Sequence, residues 1–243
     1  MAEDLIYGIN PIKEAINAKR DLDKLYVVKS SQAVTNLANK AKAMGTPVIA
    51  VDERRMDQII GEKVVHQGIC ALVSQVNYCD VTDMLALAKE KGEDPLIVIL
   101  DGVQDPHNLG AIARSAEIMG AHGIIVPKRG SAPLSGTAMK ASAGALNHIG
   151  VARVPNLASV LDVLKNNGLW IAAADMGCPD CDKTNLTGPL ALCMGSEGDG
   201  VSRLLLERCD IKTGIPMQGR TESLNVSAAA AILLYEIARQ RRG

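Results

Sequence analysis

The pattern of apolar and polar positions divides the chain into two regions, with the second beginning near Asp94. In the first 75 residues, short β-branched segments alternate with amphipathic segments, which is typical of a small α/β module. Asn10 and Pro11 are residue types that begin helices, and Gly45 is a residue type that ends them. The pattern predicts strands at residues 25–28, 47–51 and 69–73 and a helix at residues 32–44.

From Asp94 onward the apolar segments are uninterrupted. Residues 96–100 read Leu-Ile-Val-Ile-Leu, as expected of a strand that is buried on both faces. Further strands are predicted at 123–126, 169–174 and 190–194, and helices at 109–119, 157–165 and 224–241. Strands that alternate with helices through short links indicate a parallel sheet with helices on both faces. The pattern predicts two α/β domains, residues 1–75 and 94–243, joined by a linker at 76–93.

Composition narrows the class of protein. The 243 residues are 47% hydrophobic, with 26 Lys plus Arg against 27 Asp plus Glu, so the chain can build a core and has no overall basic coat. The absence of Phe, with one Trp and four Tyr, argues against binding of single strands by stacking bases on aromatic rings. No apolar segment approaches the roughly 18–20 residues that a membrane helix needs, and no secretory signal is visible. We expect a cytoplasmic protein with reduced cysteines and no membrane partner.

One stretch of the chain has a strong local charge bias. No acidic residue occurs between Glu117 and Asp162, whereas Lys128, Arg129 and Lys140 lie within this stretch. Together with Arg153 in the same stretch and Arg239, Arg241 and Arg242 at the end of the chain, these residues are candidates for phosphate contacts. An ordinary solvated face is the alternative interpretation.

Three loops that follow predicted strands carry candidate chemistry, because function concentrates at the carboxyl ends of parallel strands. The first, residues 101–110, leads into a helix that carries Arg114. The alternative interpretation is a plain turn in which Asn108 caps the helix. The second, residues 194–201, contains three glycines but lacks the ending of a phosphate-binding loop. The third, residues 215–227, places Ser223 and Asn225 at the mouth of a long apolar helix, where Ser223 would be the ordinary cap.

Other constellations give weaker signals. Cys178 and Cys181 have the spacing of metal ligands. A structural zinc site usually needs four ligands, and the sequence has no second pair of cysteines with this spacing. We therefore expect no metal and interpret the two cysteines as a free or redox-sensitive thiol pair. His66 and His148 are interpreted as structural.

Together the three loops resemble the signature motifs of the SpoU-type (TrmH-like) RNA 2′-O-methyltransferases. Residues 105–116 (DPHNLGAIARSA) resemble the first motif, residues 194–200 (MGSEGDG) the second, and residues 215–217 (IPM) with 223–227 (SLNVS) the third. Residues 7–15 (YGINPIKEA) and 66–69 (HQGI) resemble the small substrate-binding domain of the branch that modifies rRNA. The resemblance covers almost the whole chain.

The resemblance implies a fold and a reaction. The fold would be an L30e-like RNA-binding domain at residues 1–75, followed by a trefoil-knotted, parallel-sheet methyltransferase domain at residues 94–243. The cofactor would be S-adenosylmethionine, bound by four residues of the second and third motifs: Gly195, Ile215, Met217 and Leu224. Arg114 would be the catalytic arginine, with four polar companions: Asn108, Glu197, Ser223 and Asn225. The protein would act as a homodimer on a guanosine 2′-hydroxyl in the peptidyl-transferase region of 23S rRNA or its precursor.

Two alternatives remain open. The first is the same chemistry on tRNA. The second is a non-catalytic RNA-binding or ribosome-assembly factor on the same scaffold. The presence of all the polar motif residues argues against the second alternative.

Overall fold

The computed structural model of the chain describes residues 4–28, 31–61, 64–220 and 223–242. They form two compact units. The first unit comprises the described part of Met1–Asn77 together with Pro133–Thr137, and the second comprises Tyr78–Ala132 and the described part of Ala138–Gly243. Among the described residues, none of the helices combines the length and the apolar character needed to cross a membrane.

The first unit is a four-stranded sheet with three helices. The strands lie in the order β1-β4-β2-β3; β4 is antiparallel to both of its neighbours, and β2 is parallel to β3. The strands are β1 (Leu5–Tyr7), β2 (Leu22–Val27), β3 (Val48–Ala50) and β4 (Ile69–Val73), and the helices are α1 (Ile9–Asn17), α2 (Gln32–Ala43) and α3 (Glu53–Ile60). The predicted strands near 25–28, 47–51 and 69–73 are confirmed, whereas β1 and α3 were not predicted.

The second unit contains a six-stranded sheet in which every neighbouring pair of strands is parallel. The order is β10-β8-β9-β5-β6-β7. The strands are β5 (Leu96–Leu100), β6 (Gly123–Pro127), β7 (Gly150–Val154), β8 (Trp170–Ala174), β9 (Leu190–Met194) and β10 (Ile211–Thr213). The helices are α4 (Val81–Lys91), α5 (Pro106–Ile118), α6 (Gly136–Ala141), α7 (Leu157–Asn166), α8 (Arg203–Leu206) and α9 (Val226–Arg242), and the first two residues of α6 belong to the first unit. The predicted mixed α/β class with a parallel sheet is confirmed.

The central strands β5 and β9 are buried along their whole length, as their uninterrupted apolar sequences predict. Two edge elements escaped prediction. Strand β7 mixes Gly150 and Arg153 with apolar residues, and β10 has only three residues, so neither shows a strong apolar run. The segment expected to be a linker contains α4, whose Met84 is buried in the core of the second unit.

Helix α1 begins differently from the expectation. Gly8, rather than Asn10, occupies the cap position, and α1 starts at Ile9 with Pro11 in its first turn. The Oε1 atom of Gln67 accepts a hydrogen bond from the backbone N–H of Ile9 at 2.8 Å. A side chain that is remote in sequence therefore satisfies one of the free N–H groups at the start of the helix.

Candidate functional site

Strands β5 and β9 are adjacent and parallel, so the loops that follow them start side by side at the carboxyl edge of the sheet. Asp101 joins the two loops. Its backbone N–H donates to the carbonyl of Met194 at 2.8 Å, and its Oδ2 accepts from the backbone N–H of Ser202 at 2.8 Å. The sequence analysis did not single out Asp101, although an acidic residue directly after a buried strand was a signal that could have found it.

The second loop is folded tightly on itself. Ser196 and Gly200 exchange backbone hydrogen bonds, each of 3.1 Å. A Cβ atom added to Gly195 would lie 1.9 Å from the carbonyl carbon of Gly200 and 2.0 Å from the nitrogen of Val201. Because real Cβ atoms do not approach backbone atoms so closely, only glycine fits at position 195.

Helix α5 begins three residues before the predicted start, which changes the role of Asn108. Asp105 is the cap, its Oδ1 accepts from the backbone N–H of His107 at 2.9 Å, and Pro106 occupies the first helical position. The expectation that Asn108 caps the helix as part of a plain turn is therefore wrong. Asn108 lies inside the first turn with a buried side chain whose amide is free to contact other loops.

Helix α9 is capped by Asn225 rather than by Ser223. The Oδ1 atom of Asn225 accepts from the backbone N–H groups of Ser227 at 2.9 Å and Ala228 at 3.3 Å, and also from the Ser227 hydroxyl. These bonds hold the amide oxygen towards the helix, so the Nδ2 group of Asn225 points outwards as a donor.

The three loops meet through three polar side chains, one from each motif. Asn225 donates through Nδ2 to Oδ1 of Asn108 at 3.0 Å and also to Oε1 of Glu197. Asn108 donates through Nδ2 to the same Glu197 oxygen at 3.1 Å. We call this arrangement the Asn–Glu–Asn cluster. It joins residues that are 89 and 117 positions apart in sequence.

Arg114 and Ser223 lie outside this cluster. Arg114 is exposed on α5, eight residues after Pro106 and so about 12 Å along the helix axis rather than near its start. Its guanidinium forms no hydrogen bond or ion pair with any residue that the structure describes. Ser223 is exposed just before α9, and its side chain likewise has no hydrogen bond with a described residue.

The four predicted cofactor residues lie on the loops that follow β9 and β10. Gly195 is buried, Ile215 is half-buried, and Met217 and Leu224 are apolar but exposed. Between residues 215 and 220, no backbone N–H or C=O group is hydrogen-bonded to a described residue. The loop therefore offers backbone donors and acceptors that bond to no described residue, beside exposed apolar side chains.

The basic residues fall into two groups. Lys128 is half-buried, Arg129 and Lys140 are exposed, and none of the three pairs with a described acidic residue. In contrast, the guanidinium carbon of Arg153 lies 4.3 Å from the centroid of the Tyr78 ring. At the end of α9, Arg239 bonds to Glu236, and Arg241 donates to the carbonyls of Asp94, Pro95 and Gly188. Arg239 and Arg241, which the sequence also offered as phosphate ligands, are therefore used within the protein.

The histidine and cysteine candidates have local roles or none. His66 is buried, and its Nδ1 accepts from the Gly68 N–H at 3.0 Å, whereas His148 is exposed. Among the described residues, no group of His, Cys, Asp and Glu could hold a metal ion. Burial raises the pKa of both Cys178 and Cys181, and Asp175 adds to this effect at Cys178.

Comparison with solved structures extends over almost the whole chain. The AdoMet-bound rRNA methyltransferase from Sinorhizobium meliloti is 27% identical with a TM-score of 0.61, and the match covers 97% of this chain and 86% of that one. The TrmH/SpoU tRNA modifying enzyme from A. aeolicus is 29% identical with a TM-score of 0.56, but the match covers 66% of this chain and 85% of that one.

Comparison with sequences identifies the family. The SpoU rRNA Methylase family matches residues 95–235, and the family described as RNA 2′-O ribose methyltransferase substrate binding matches residues 5–79. The chain is 41% identical over 245 residues to YacO of Bacillus subtilis (strain 168), which is assigned to the TrmH family of tRNA/rRNA methyltransferases, with 98% of this chain and 96% of that protein covered. This chain therefore belongs to the SpoU (TrmH) family of RNA methyltransferases.

Proposed function

We propose that this protein transfers a methyl group from S-adenosylmethionine to a ribose 2′-hydroxyl of RNA, and that the target is a guanosine in the peptidyl-transferase region of 23S rRNA. The observation that carries the proposal is the Asn–Glu–Asn cluster. A hydrogen-bonded contact between Asn108, Glu197 and Asn225 gathers one polar residue from each motif at the carboxyl edge of the sheet. That edge is where ligands bind in parallel α/β folds.

The residues present fit S-adenosylmethionine. The backbone groups of residues 215–220, which bond to no described residue, can hydrogen-bond the edge of an adenine ring, and the exposed side chains of Met217 and Leu224 can cover its faces. Gly195 would bring the backbone of the second loop close to the ligand, since no side chain intervenes. When bound, S-adenosylmethionine supplies an activated methyl group on a positively charged sulfur.

Arg114 is proposed to orient the RNA. A guanidinium remains protonated in proteins, so it cannot serve as the base that removes the hydroxyl proton. Its planar fork can hold a phosphate and the neighbouring 2′-oxygen together and stabilise negative charge that develops on that oxygen. The exposed position of Arg114, with no partner among the described residues, leaves the fork available for RNA.

Glu197 is proposed to receive the 2′-hydroxyl proton. Both amide donors of the Asn–Glu–Asn cluster bond to its Oε1, and its Oε2 accepts no hydrogen bond from a described residue. Because Asn225 is held as a donor by the cap of α9, the cluster keeps the carboxylate in one orientation with Oε2 free. Position rather than basicity alone makes such a group effective, since well-oriented reactants gain up to roughly 7–11 kcal/mol.

The choice of rRNA over tRNA rests on the first unit. The rRNA methyltransferase from Sinorhizobium meliloti matches 97% of this chain, whereas the tRNA modifying enzyme from A. aeolicus matches 66%. The family match at residues 5–79 also concerns substrate binding. We propose that the first unit, an L30e-like domain, selects the RNA, and that Lys128, Arg129 and Lys140 contact its phosphates.

We further propose that the second unit is knotted and that two copies form a homodimer in the cytoplasm. Helices α5 and α9 pack together, and each keeps large apolar side chains exposed: Ile118 on α5, and Ile232 and Tyr235 on α9. A second copy would bury these side chains. Arg114 lies on the same helix as Ile118, so this arrangement would place the arginine near the junction between subunits.

The test is transfer of tritium from labelled S-adenosylmethionine to large-subunit rRNA and to tRNA, both lacking modification, with Arg114→Ala as control. Label at an rRNA 2′-hydroxyl that disappears in the variant supports the proposal. Label on tRNA alone keeps the chemistry and changes the substrate. Failure to bind S-adenosylmethionine at all would instead favour a non-catalytic RNA-binding factor.

A further inference from the structure

The loop that follows β8 lies between the two loops that carry the predicted cofactor residues. In the sheet, β8 is the neighbour of both β9 and β10, and the three strands run parallel. Gly195 comes after β9 and Ile215 after β10. Parallel strands end at the same edge of a sheet, so a ligand that contacts both loops lies across the end of β8. We call residues 175–180 the β8 loop.

The β8 loop is bonded to the residues just before Ile215. Gly214 donates its N–H to the carbonyl of Pro179 at 2.9 Å, and the N–H of Asp175 donates to the carbonyl of Thr213 at 3.0 Å. A Cβ atom added to Gly214 would lie 3.0 Å from the carbonyl oxygen of Asp175. The β8 loop and the start of the loop after β10 therefore hold each other in place.

Asp175 is the first residue of the β8 loop, and the sequence analysis did not single it out. An acidic residue directly after a predicted strand is the same signal that could have found Asp101. The side chain of Asp175 is half-buried. Its Oδ1 accepts from the N–H of Met176 at 2.9 Å, and its Oδ2 accepts from the thiol of Cys178, a weak donor, at 3.7 Å. Each carboxylate oxygen can accept two bonds, so both keep an acceptor position that no described residue uses.

Met176 adds an apolar surface directly after this carboxylate. Its side chain is 63% exposed. Met217 and Leu224, the apolar cofactor residues that follow β10, are exposed as well. A nucleoside has apolar ring faces and a ribose with two adjacent hydroxyl donors. The β8 loop therefore offers what a nucleoside binds: an apolar side chain and a carboxylate with open acceptor positions.

We propose that Asp175 binds the ribose of S-adenosylmethionine by accepting hydrogen bonds from its 2′- and 3′-hydroxyl groups, and that Met176 packs against the same nucleoside. An acidic residue of the parallel sheet has this role in dinucleotide-binding folds. Hydrogen bonds to a charged acceptor are stronger than those between neutral groups. The inference rests on the proposed function, because it takes S-adenosylmethionine as the ligand. It adds a charged side chain to a predicted cofactor set that has none.

The experiment measures binding rather than turnover. Calorimetry on the full-length protein gives the Kd for S-adenosylhomocysteine, which has the same nucleoside but an uncharged sulfur, and for its 2′-deoxy and 3′-deoxy analogues. We expect the wild-type protein to bind each deoxy analogue at least about 10-fold more weakly, the effect of losing one hydrogen bond to a charged acceptor.

Asp175→Asn tests the carboxylate itself. Its amide oxygen can still accept from the Met176 N–H, so the urea midpoint should stay near that of the wild type, but the new NH₂ group cannot accept from a hydroxyl. Affinity for S-adenosylhomocysteine should fall at least about 10-fold, and the preference for at least one ribose hydroxyl should disappear. Asp180→Asn is the matched control in the same loop. The Asp180 carboxylate bonds to Lys183, and all three affinities should stay at wild-type values.

Met176→Ala separates the two parts of the proposal. It should weaken binding of all three ligands by a similar factor of several-fold, because it removes contact with the nucleoside and leaves the hydroxyl acceptor in place. Unchanged affinities in Met176→Ala would refute the apolar contact while the ribose contact stands.

Two results would overturn the role of Asp175. One is equal affinity of the wild type for S-adenosylhomocysteine and both deoxy analogues, even in a preparation that methylates RNA. The other is an Asp175→Asn protein that keeps the full preference for the ribose hydroxyls, whether or not its overall affinity falls. If Asp175→Asn does not fold, the wild-type analogue series decides. A wild type that binds neither S-adenosylmethionine nor S-adenosylhomocysteine would refute the proposed function, and the ribose contact with it.

Discussion

The polar side chains of two motif regions are used in different ways. In the first unit, the side chains of the His66–Gln67 segment bond to backbone groups: Gln67 accepts from the N–H of Ile9 and His66 accepts from the N–H of Gly68. In the second unit, Asn108 and Glu197 bond to each other and to Asn225 through their side chains. Backbone-directed bonds fix a turn, whereas polar side chains that converge from three loops leave atoms available for a ligand. The first arrangement is that of a structural turn, and the second is that of a candidate site.

Replacement of Arg114 is expected to have the largest effect. Its side chain takes part neither in the bonds of the His66–Gln67 segment nor in the Asn–Glu–Asn cluster. Arg114→Ala should lower kcat for methyl transfer by about 10²–10³, the loss typical of removing one donor that stabilises developing charge. The urea midpoint should not change, because the side chain is exposed and has no partner among the described residues. Rate and unfolding measurements on the same preparation check both statements.

Arg114→Lys refines this prediction. Lysine keeps the positive charge but loses the planar fork, so turnover should stay low while RNA affinity is largely retained. Near-normal turnover in this variant would show that charge alone suffices and that the fork has no role in orienting the RNA.

The next effect concerns the backbone that supports the Asn–Glu–Asn cluster. Gly195→Ala should weaken S-adenosylmethionine binding and lower stability by about 1–3 kcal/mol, since the new methyl group would overlap the Gly200 and Val201 backbone. Gly198→Ala is the matched control: nothing lies within 4 Å of a Cβ there, so the unfolding midpoint should stay constant. Equal midpoints for the two variants would contradict the tight loop described above.

The difference between the two regions also shows what sequence alone can predict. The central strands β5 and β9 were predictable because burial on both faces requires uninterrupted apolar residues. Strand β10 was not, because three residues at a sheet edge carry too little pattern. The motifs identified Asn108, Glu197 and Asn225, but the contact among them depends on how three distant loops fold.

Capping was the least predictable feature. Asn108 and Ser223 are residue types that commonly cap helices. The actual caps are Asp105 for α5 and Asn225 for α9. Several residues near a helix start can serve as the cap, and packing of the whole helix decides among them. Likewise, Pro133–Thr137 belongs to the first unit although it is distant in sequence, and the Gly136 N–H donates to Asp4 Oδ2 at 2.6 Å, a contact that local sequence does not reveal.

A smaller effect is expected at the His66–Gln67 segment of the first unit, whose side chains bond to backbone groups. Gln67→Ala removes the acceptor for the Ile9 N–H and should cost about 1 kcal/mol of stability, the usual value for loss of a helix cap. Affinity for S-adenosylmethionine should not change. Gln67→Glu, which keeps an oxygen acceptor, should recover most of the stability. A loss of cofactor affinity in Gln67→Ala would show that this cluster is more than a structural turn.

The smallest effect is expected at His122 in the second unit, whose side chain also bonds to a backbone group. His122 is buried, its Nδ1 accepts from the Leu96 N–H at 3.0 Å, and its Nε2 lies 3.1 Å from Glu93. Burial lowers the pKa of His122, and the opposing effect of Glu93 is smaller. The unfolded chain therefore takes up a proton at His122, near its ordinary pKa of about 6.5, before the folded protein does. The contribution of His122 to stability is complete above that pH and is lost as the pH falls from there through the folded pKa.

Urea unfolding between neutral and mildly acidic pH measures this loss as a falling midpoint. His122→Asn keeps an oxygen that can accept from Leu96 N–H but has no titratable group, so its midpoint should depend less on pH than that of the wild type over the same interval. Parallel pH dependences in the two proteins would mean that other groups cause the acid sensitivity. In that case His122 would contribute only through its neutral hydrogen bonds.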